Sequence, residues 1–443
     1  MNNSERMNYH PKVNMNSAQA TRSFGYLLIV LCSMFMNYII NILNTYVLYY
    51  TLMLVITIYF LFRSNLKMRM ENSKDTAWWF VALLAVTIST LRTSFNINSY
   101  VGMFTFIFGF IVFLCSGSSS QNFDLSIRFI KLLSLYYAIT VWIQILIPRA
   151  YTAFTRLIPT RSKEYIYTLE SSNVGYTGFT TNPGFTAGYI IIGLLAFYSF
   201  RLYSSRASKK RGFLLEIFLL GTLLMTGKRG HLLAFIAAIL VVYIITAPRV
   251  NGKMGRIAKI ALPVTALVVI LIIFNEMLCS IPVLGRLYQS IYGILSGEDI
   301  TNNRFMLYRF GLELFKEHPF FGVGWLQYRQ LSVGNITFLT TINMHNIYLQ
   351  MLAEMGVVGF ICMALFMISS IRNAIQNIIL VKELNKNDKW YPLLLFSFGY
   401  QVFFLLYGIS GNPLYDQNFF LMYLFTVCIG HAFKLNYKQV NII

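Results

Sequence analysis

The sequence predicts an all-α integral membrane protein with about twelve transmembrane helices, and three observations carry that reading. Only 12% of the 443 residues are charged and 56% are apolar, whereas soluble domains carry about 25% charged residues. The apolar residues form whole segments without a polar face, close to the ~20 residues that a helix needs to cross a ~30 Å hydrocarbon core. The cations fall unevenly on the connections between these segments, as the positive-inside rule requires. Lys and Arg number 36 against 16 Asp and Glu, a net +20. In a soluble chain that balance would suggest nucleic acid, but the hydropathy excludes a soluble nucleic-acid binder.

Residues 1–443 are read as a single polytopic domain. The spans run roughly over 24–43, 45–62, 77–91, 97–115, 126–147, 184–200, 212–226, 230–247, 257–274, 346–371, 390–410 and 417–433. The first and second, and the seventh and eighth, form tight hairpins. With both termini cytoplasmic, 24 of the 36 cations lie on the inner side, in the short loops where the orientation rule applies. No short apolar core with a small-residue cleavage site precedes the first span, so that span is expected to act as its own targeting signal. The five cysteines, Cys32, Cys115, Cys279, Cys362 and Cys428, are scattered and nearly all lie in apolar runs, which argues against a disulfide framework or thiolate metal site.

The other 12 cations face outward, and orientation does not explain them. Nine sit in two long outer loops, 148–183 and 275–345, and Lys228 and Arg229 form the tip of a short outer hairpin. Loops of this length are commonly functional or disordered. In the second loop, Arg304 to His318 sets Leu307, Phe310, Leu314 and Phe315 against Arg309, Glu313, Lys316 and Glu317. That is the pattern of an amphipathic helix lying on the membrane face or across the mouth of the bundle. His318-Pro319 and Gly322-Val323-Gly324 then end it.

Of five histidines, His231, His318 and His345 fall on the outer side, and none has metal-ligand spacing to another. The acidic pair Glu298-Asp299 could hold a divalent ion beside a phosphate, although adjacent loop acids are ordinarily just solvated. In Thr226-Gly227-Lys228-Arg229-Gly230-His231 the glycines allow close backbone approach, the following helix N-terminus favours anions, and the Arg offers a two-pronged donor for phosphate. Snorkelling to lipid headgroups is the plainer alternative for the two cations. In Asn343-Met344-His345-Asn346-Ile347-Tyr348-Leu349 the imidazole has a pKa suited to taking a proton from a hydroxyl; an interfacial or capping histidine is the plainer reading. Glu354 is a carboxylate inside a span, a functional candidate by default. Nine helical residues separate it from His345, which places it on the opposite side and about 13 Å along, so it is expected to bond to a neighbouring helix.

The run Asn303-Arg304-Phe305 to His318-Pro319-Phe320-Phe321-Gly322-Val323-Gly324, followed by His345-Asn346-Ile347-Tyr348-Leu349 to Glu354-Met355-Gly356, resembles the signature of the O-antigen ligase and polymerase (Wzy-type) superfamily. Gly227-Lys228-Arg229-Gly230 resembles the family's Ser-Arg-Gly tip, with Lys228 in place of Ser, and Thr181-Asn182-Pro183-Gly184 its Asn-Pro-Asn turn, with Gly184 departing from it. The resemblance covers residues 178–360. It implies a GT-C-like, metal-independent, inverting glycosyltransferase of the bacterial cytoplasmic membrane, without a cofactor, acting at the outer face on polyprenyl-diphosphate-linked glycans. Carried over by position, Arg229 and Arg304, with Lys228, would bind the donor diphosphate and His345 would serve the reacting hydroxyl. Asn346, Glu354 and Arg309 are expected to support them. The partners implied are the lipid-linked donor and acceptor, membrane lipids and a chain-length regulator, without nucleic acid.

Within the superfamily a polymerase passes the chain to a lipid-linked repeat unit, and a ligase passes it to lipid-A core or protein. The abundance of Asn, Ile, Lys and Tyr fits an AT-rich genome, such as one with a Gram-positive capsule cluster, and favours a capsule, exopolysaccharide or O-antigen polymerase. A flippase for the same glycan is the alternative from another class, but the related halves common in transporters are not evident here.

Overall fold

The structure is a computed structural model that describes residues 17–36, 38, 46–63, 74–93, 96–117, 119–171, 174–203, 206–246, 282–286, 288–289, 304–335, 342–384 and 389–441. All regular elements among them are helical. In chain order they are α1 (Ser17–Met36), α2 (Tyr46–Arg63), α3 (Lys74–Leu91), α4 (Ile97–Leu114), α5 (Gln121–Leu146), α6 (Pro148–Thr155), α7 (Thr160–Ser171), α8 (Pro183–Tyr203), α9 (Arg206–Met225) and α10 (Arg229–Ile245). They continue with α11 (Arg304–Glu317), α12 (Tyr328–Asn335), α13 (Ile347–Leu384), α14 (Trp390–Tyr407) and α15 (Gln417–Asn441).

Among the described residues, six helices are long and apolar enough to cross a membrane: α4, α5, α8, α13, α14 and α15. Four shorter apolar stretches lie in α1, α2, α3 and α10. Helices occupy eleven of the twelve expected spans, and the ninth, 257–274, lies outside the described residues. The loop expected at 148–183 is largely helical: α6 meets α7 through Thr155 Oγ1 and Tyr167 Oη (3.3 Å), and it packs on the segment before α8 through stacked Phe154 and Phe179, 4.5 Å between centroids, and through Tyr151 Oη and Thr177 Oγ1 at 2.9 Å.

Helix α15 is the central post, with 94% of its apolar window buried. It packs against α1, α4, α13 and α14, while α5 and α8 pair beside it. Polar ties fix these apolar cylinders in register. Asp75 of α3 accepts from Ser369 Oγ (2.7 Å) and Asn373 Nδ2 (2.7 Å) of α13 and pairs with Lys434 Nζ (2.8 Å) of α15. Three helices thereby share one carboxylate.

The break in α13 shapes the functional end. Gly356 has φ 63° and ψ −172°, so the helix stops its ladder there and resumes. Inside apolar surroundings the freed backbone groups must find other partners, and residues 319–324 supply them. Val323 N–H donates to Ala353 O (3.0 Å) and Gly324 N–H to Glu354 O (2.7 Å), while Val357 N–H donates to Pro319 O (2.9 Å) and Val358 N–H to Phe320 O (3.2 Å). The Pro319-to-Gly324 turn is thus stitched into the gap. A Cβ at Gly356 would lie 2.3 Å from Phe320 C and 2.4 Å from its O, and the left-handed φ adds its own penalty of about 1–2 kcal/mol. Gly356→Ala is therefore expected to lower the detergent melting temperature markedly; an unchanged melt would mean that the stitch does not hold the two halves together.

The amphipathic pattern of Arg304 to His318 forms α11. It buries Leu307, Gly311 and Leu314 and packs on α13, and Tyr328 Oη donates to Leu307 O (2.9 Å). Its far side stays exposed, with Phe305, Met306 and Leu312 outward, as suits a helix at a lipid or substrate boundary.

Candidate anion-binding site at the hairpin tip

The tip between α9 and α10 is held by backbone geometry. Gly227 has φ 69°, and a Cβ there would meet Val174 O at 1.7 Å, so only glycine lets the tip press against residues 174–176. Tyr176 N–H donates to Met225 O (2.9 Å), which closes the contact. Lys228 then stands at the N-cap of α10 without a side-chain cap bond, leaving the first N–H groups of the helix to face outward from the tip. Such a terminus attracts anions.

Four cations gather at this point. Arg229 Nη1 donates to Arg286 O (3.2 Å), and Arg286 Nη1 donates to Gly227 O (3.0 Å). Arg304, the first residue of α11, donates through Nη1 to Ser410 O (2.8 Å) in the turn after α14. Arg286 and Arg304 both act as like charges on Lys228 and Arg229. Neither Lys228 nor Arg304 has a carboxylate partner among the described residues; the ion pairs found there are Arg201–Glu216, Arg309–Glu313 and Lys434–Asp75. Burial and then the two guanidinium groups push the Lys228 ammonium down to about 8. Gathered cations repel one another and lose solvation, a cost that an incoming polyanion would offset. Affinity for inorganic diphosphate is accordingly expected to fall as pH rises past about 8, where Lys228 sheds its proton, and titration calorimetry across pH 6.5–9.5 with Lys228→Arg as the control checks it.

His345 lies in the turn that leads into α13 and takes a left-handed φ of 59°, unusual for a residue with a Cβ and common at functional sites. Asn412 holds it there: His345 N–H donates to Asn412 Oδ1 (2.8 Å), and Asn412 Nδ2 lies 2.9 Å from His345 Nδ1. Nε2 meets no partner among the described residues. Burial first, then the Arg304 and Lys228 charges, push the ring down to about 4, so it is neutral at pH 7 and lies within the field of the cations.

The turn 408–416 brings these pieces together. Ser410 O receives Arg304, Asn412 clamps His345, Gly408 O accepts from Ile347 N–H (2.9 Å), and Ser410 Oγ approaches Gly230. Arg229, Lys228, Arg304 and His345 are therefore brought to one end of the bundle. Sequence reasoning did not single out Arg286, Ser410 or Asn412. Arg286 sits in the long loop without a motif, and the turn after α14 lies beyond the recognisable region.

The other expected site residues do other work. Asn346 caps α13, with Oδ1 accepting from Tyr348 N–H (3.0 Å) and Leu349 N–H (3.1 Å). Asn182 likewise caps α8, accepting from Gly184 N–H (2.7 Å). Arg309 is a correction: it is exposed and paired with Glu313 (3.1 Å), because five helical residues rotate it about 140° away from Arg304. Glu354 is fully buried and, as expected, bonds to a neighbouring helix: it accepts from Tyr328 N–H at the start of α12 (3.2 Å), and also from Leu326 N–H in the loop before it (3.0 Å) and from Gln350 Nε2 of its own helix (3.0 Å). The break at Gly356 admits that loop, so the carboxylate satisfies backbone donors.

His231 is buried in the bundle, 4.0 Å from the ring of Tyr407, and His318 ends α11 on the exposed surface. Glu298-Asp299 lies outside the described residues, and no group of three potential metal ligands occurs among the described ones.

The chain is thus an all-helical protein, among its described residues, with six helices long and apolar enough to cross a membrane and with four cations gathered beside a histidine at one end of its bundle. Residues 214–364 match the family described as O-antigen ligase (Wzy_C), which supports membership of the chain in the O-antigen ligase/polymerase superfamily. The matched stretch contains Lys228, Arg229, Arg286, Arg304 and His345 but not Asn412. No curated protein matches the chain.

Proposed function

We propose that the protein is a polysaccharide polymerase of a bacterial cytoplasmic membrane. It transfers a polyprenyl-diphosphate-linked glycan to the sugar hydroxyl of a lipid-linked repeat unit at the outer face, by direct and inverting displacement. The observation that carries this reading is the convergence of Lys228, Arg229, Arg286 and Arg304 beside His345. Cleavage of the donor expels a diphosphate whose oxygens gain negative charge, and fixed guanidinium groups can stabilise that charge without a metal ion. The exposed apolar face of α11 next to Arg304 suits the lipid or glycan that must arrive with the headgroup.

Glycan analysis of a strain lacking the gene tests the reading. Loss of a polymerase leaves single repeat units at the outer face. Polymer stranded on its lipid carrier would instead identify a ligase, and units confined to the cytoplasmic face would identify a flippase.

A further inference from the structure

We infer that His345 serves this transfer as a neutral Nε2–H donor to the departing phosphate oxygen, not as the base, and that Asn412 is the positioning residue that enforces that form. The inference rests on the functional reading above and concerns the same site.

A backbone N–H can only donate, so the His345 N–H at 2.8 Å identifies the facing Asn412 atom as the oxygen. The other end of the same amide is then the NH2 group, 2.9 Å from Nδ1. Turning the amide over would set two donors against each other. Because NH2 only donates, Nδ1 must accept, and the ring proton of a neutral imidazole is left on Nε2. Neither nitrogen then offers a free lone pair: Nδ1 is engaged by Asn412, and Nε2 carries hydrogen. What the ring presents is an N–H without a partner among the described residues, in the field of Arg304 and Lys228. Burial, and then the neighbouring cations, keep the ring neutral, and a neutral N–H can stabilise a growing oxyanion without giving up its proton. The left-handed φ of His345 shows that the turn is held in this pose against its backbone preference.

In the step itself, the acceptor hydroxyl oxygen bonds to C1 as the C1–O bond to the diphosphate breaks. The bond's electron pair stays on the phosphate oxygen, which receives the Nε2–H hydrogen bond and the guanidinium charge. The hydroxyl proton passes to water, and His345 neither gains nor loses one.

Two substitutions separate donor from base. Gln places an amide NH2 near the position of Nε2 without basicity, so His345→Gln should retain polymer formation within about tenfold of wild type, while His345→Ala loses about 10²–10³-fold. Asn412→Asp presents only acceptors, which would draw the ring proton to Nδ1 and bare Nε2; a donor is then lost, and activity should fall about 10²-fold, although the ring has become a better base. The direct readout is the ¹⁵N spectrum of the histidine-labelled full-length protein in nanodiscs at pH 7, with His345 assigned by its absence in His345→Gln. Protonated Nε2 and bare Nδ1 are expected. Bare Nε2, or an Asn412→Asp protein as active as wild type, would overturn the inference. Binding of a polyprenyl diphosphate to the same nanodiscs is measured in parallel. No binding sinks the functional reading, whereas binding with bare Nε2 sinks only the role given to His345.

Discussion

Arg304→Ala is expected to cut polymer formation by about 10²–10³-fold while leaving the protein folded and in the membrane, and Arg229→Ala should do the same. The size follows from what one fixed donor contributes to a growing oxyanion, about 2.7–4 kcal/mol. The cost to folding is smaller. Arg304 makes one described bond, to Ser410 O at 2.8 Å, and a neutral carbonyl losing a partner costs about 1 kcal/mol. Removing a like charge from beside Lys228 and Arg229 returns part of that. Activity and fold should therefore separate in this variant. Arg304→Lys keeps the charge but loses the two-pronged geometry that matches phosphate, so an intermediate defect is expected. Polymer length on gels and protein level in membranes provide the two readouts.

Glu354→Ala should behave in the opposite way, losing the folded protein first. Its carboxylate is fully buried and serves Leu326 N–H, Tyr328 N–H and Gln350 Nε2. Alanine leaves the two backbone donors in an interior without an acceptor, at about 1–3 kcal/mol each, and leaves Gln350 Nε2 only its long contact with Asn343 Oδ1 (3.5 Å). The sum is a large part of the 5–15 kcal/mol by which domains are ordinarily stable. Glu354→Gln supplies one oxygen where two are used and should fall between. A Glu354→Ala protein that melts like wild type but makes no polymer would show that the carboxylate faces substrate.

These two variants also mark what could be read from the chain alone. Helices were legible at eleven of the twelve expected spans, six of them long and apolar enough to cross a membrane, because a bilayer demands long uncharged segments, and α11 because its apolar residues repeat at helical spacing. Arg229, Arg304 and His345 stood out through local motif and outward charge, two properties that travel with the sequence itself. Arg286 and Asn412 did not, because their part depends on contacts across 59 and 67 residues of separation, which no local spacing encodes. Helical geometry placed Glu354 against a neighbouring helix, and Tyr328 N–H of α12 meets it, but it could not show that α13 stops at Gly356 and admits the Pro319-to-Gly324 turn. The Leu326 bond of Glu354 was not legible for that reason. Arg309 was misjudged because motif membership says nothing about which side of α11 meets the site.

The most direct test of the central claim is reconstitution of the purified full-length protein in proteoliposomes with a polyprenyl-diphosphate-linked repeat unit from its own host. The expected result is a ladder of lipid-linked oligomers together with free polyprenyl diphosphate, formed with chelator present and lost in Arg304→Ala. Repeat units that cross the bilayer unchanged, or that remain single while wild-type protein binds them, would contradict it.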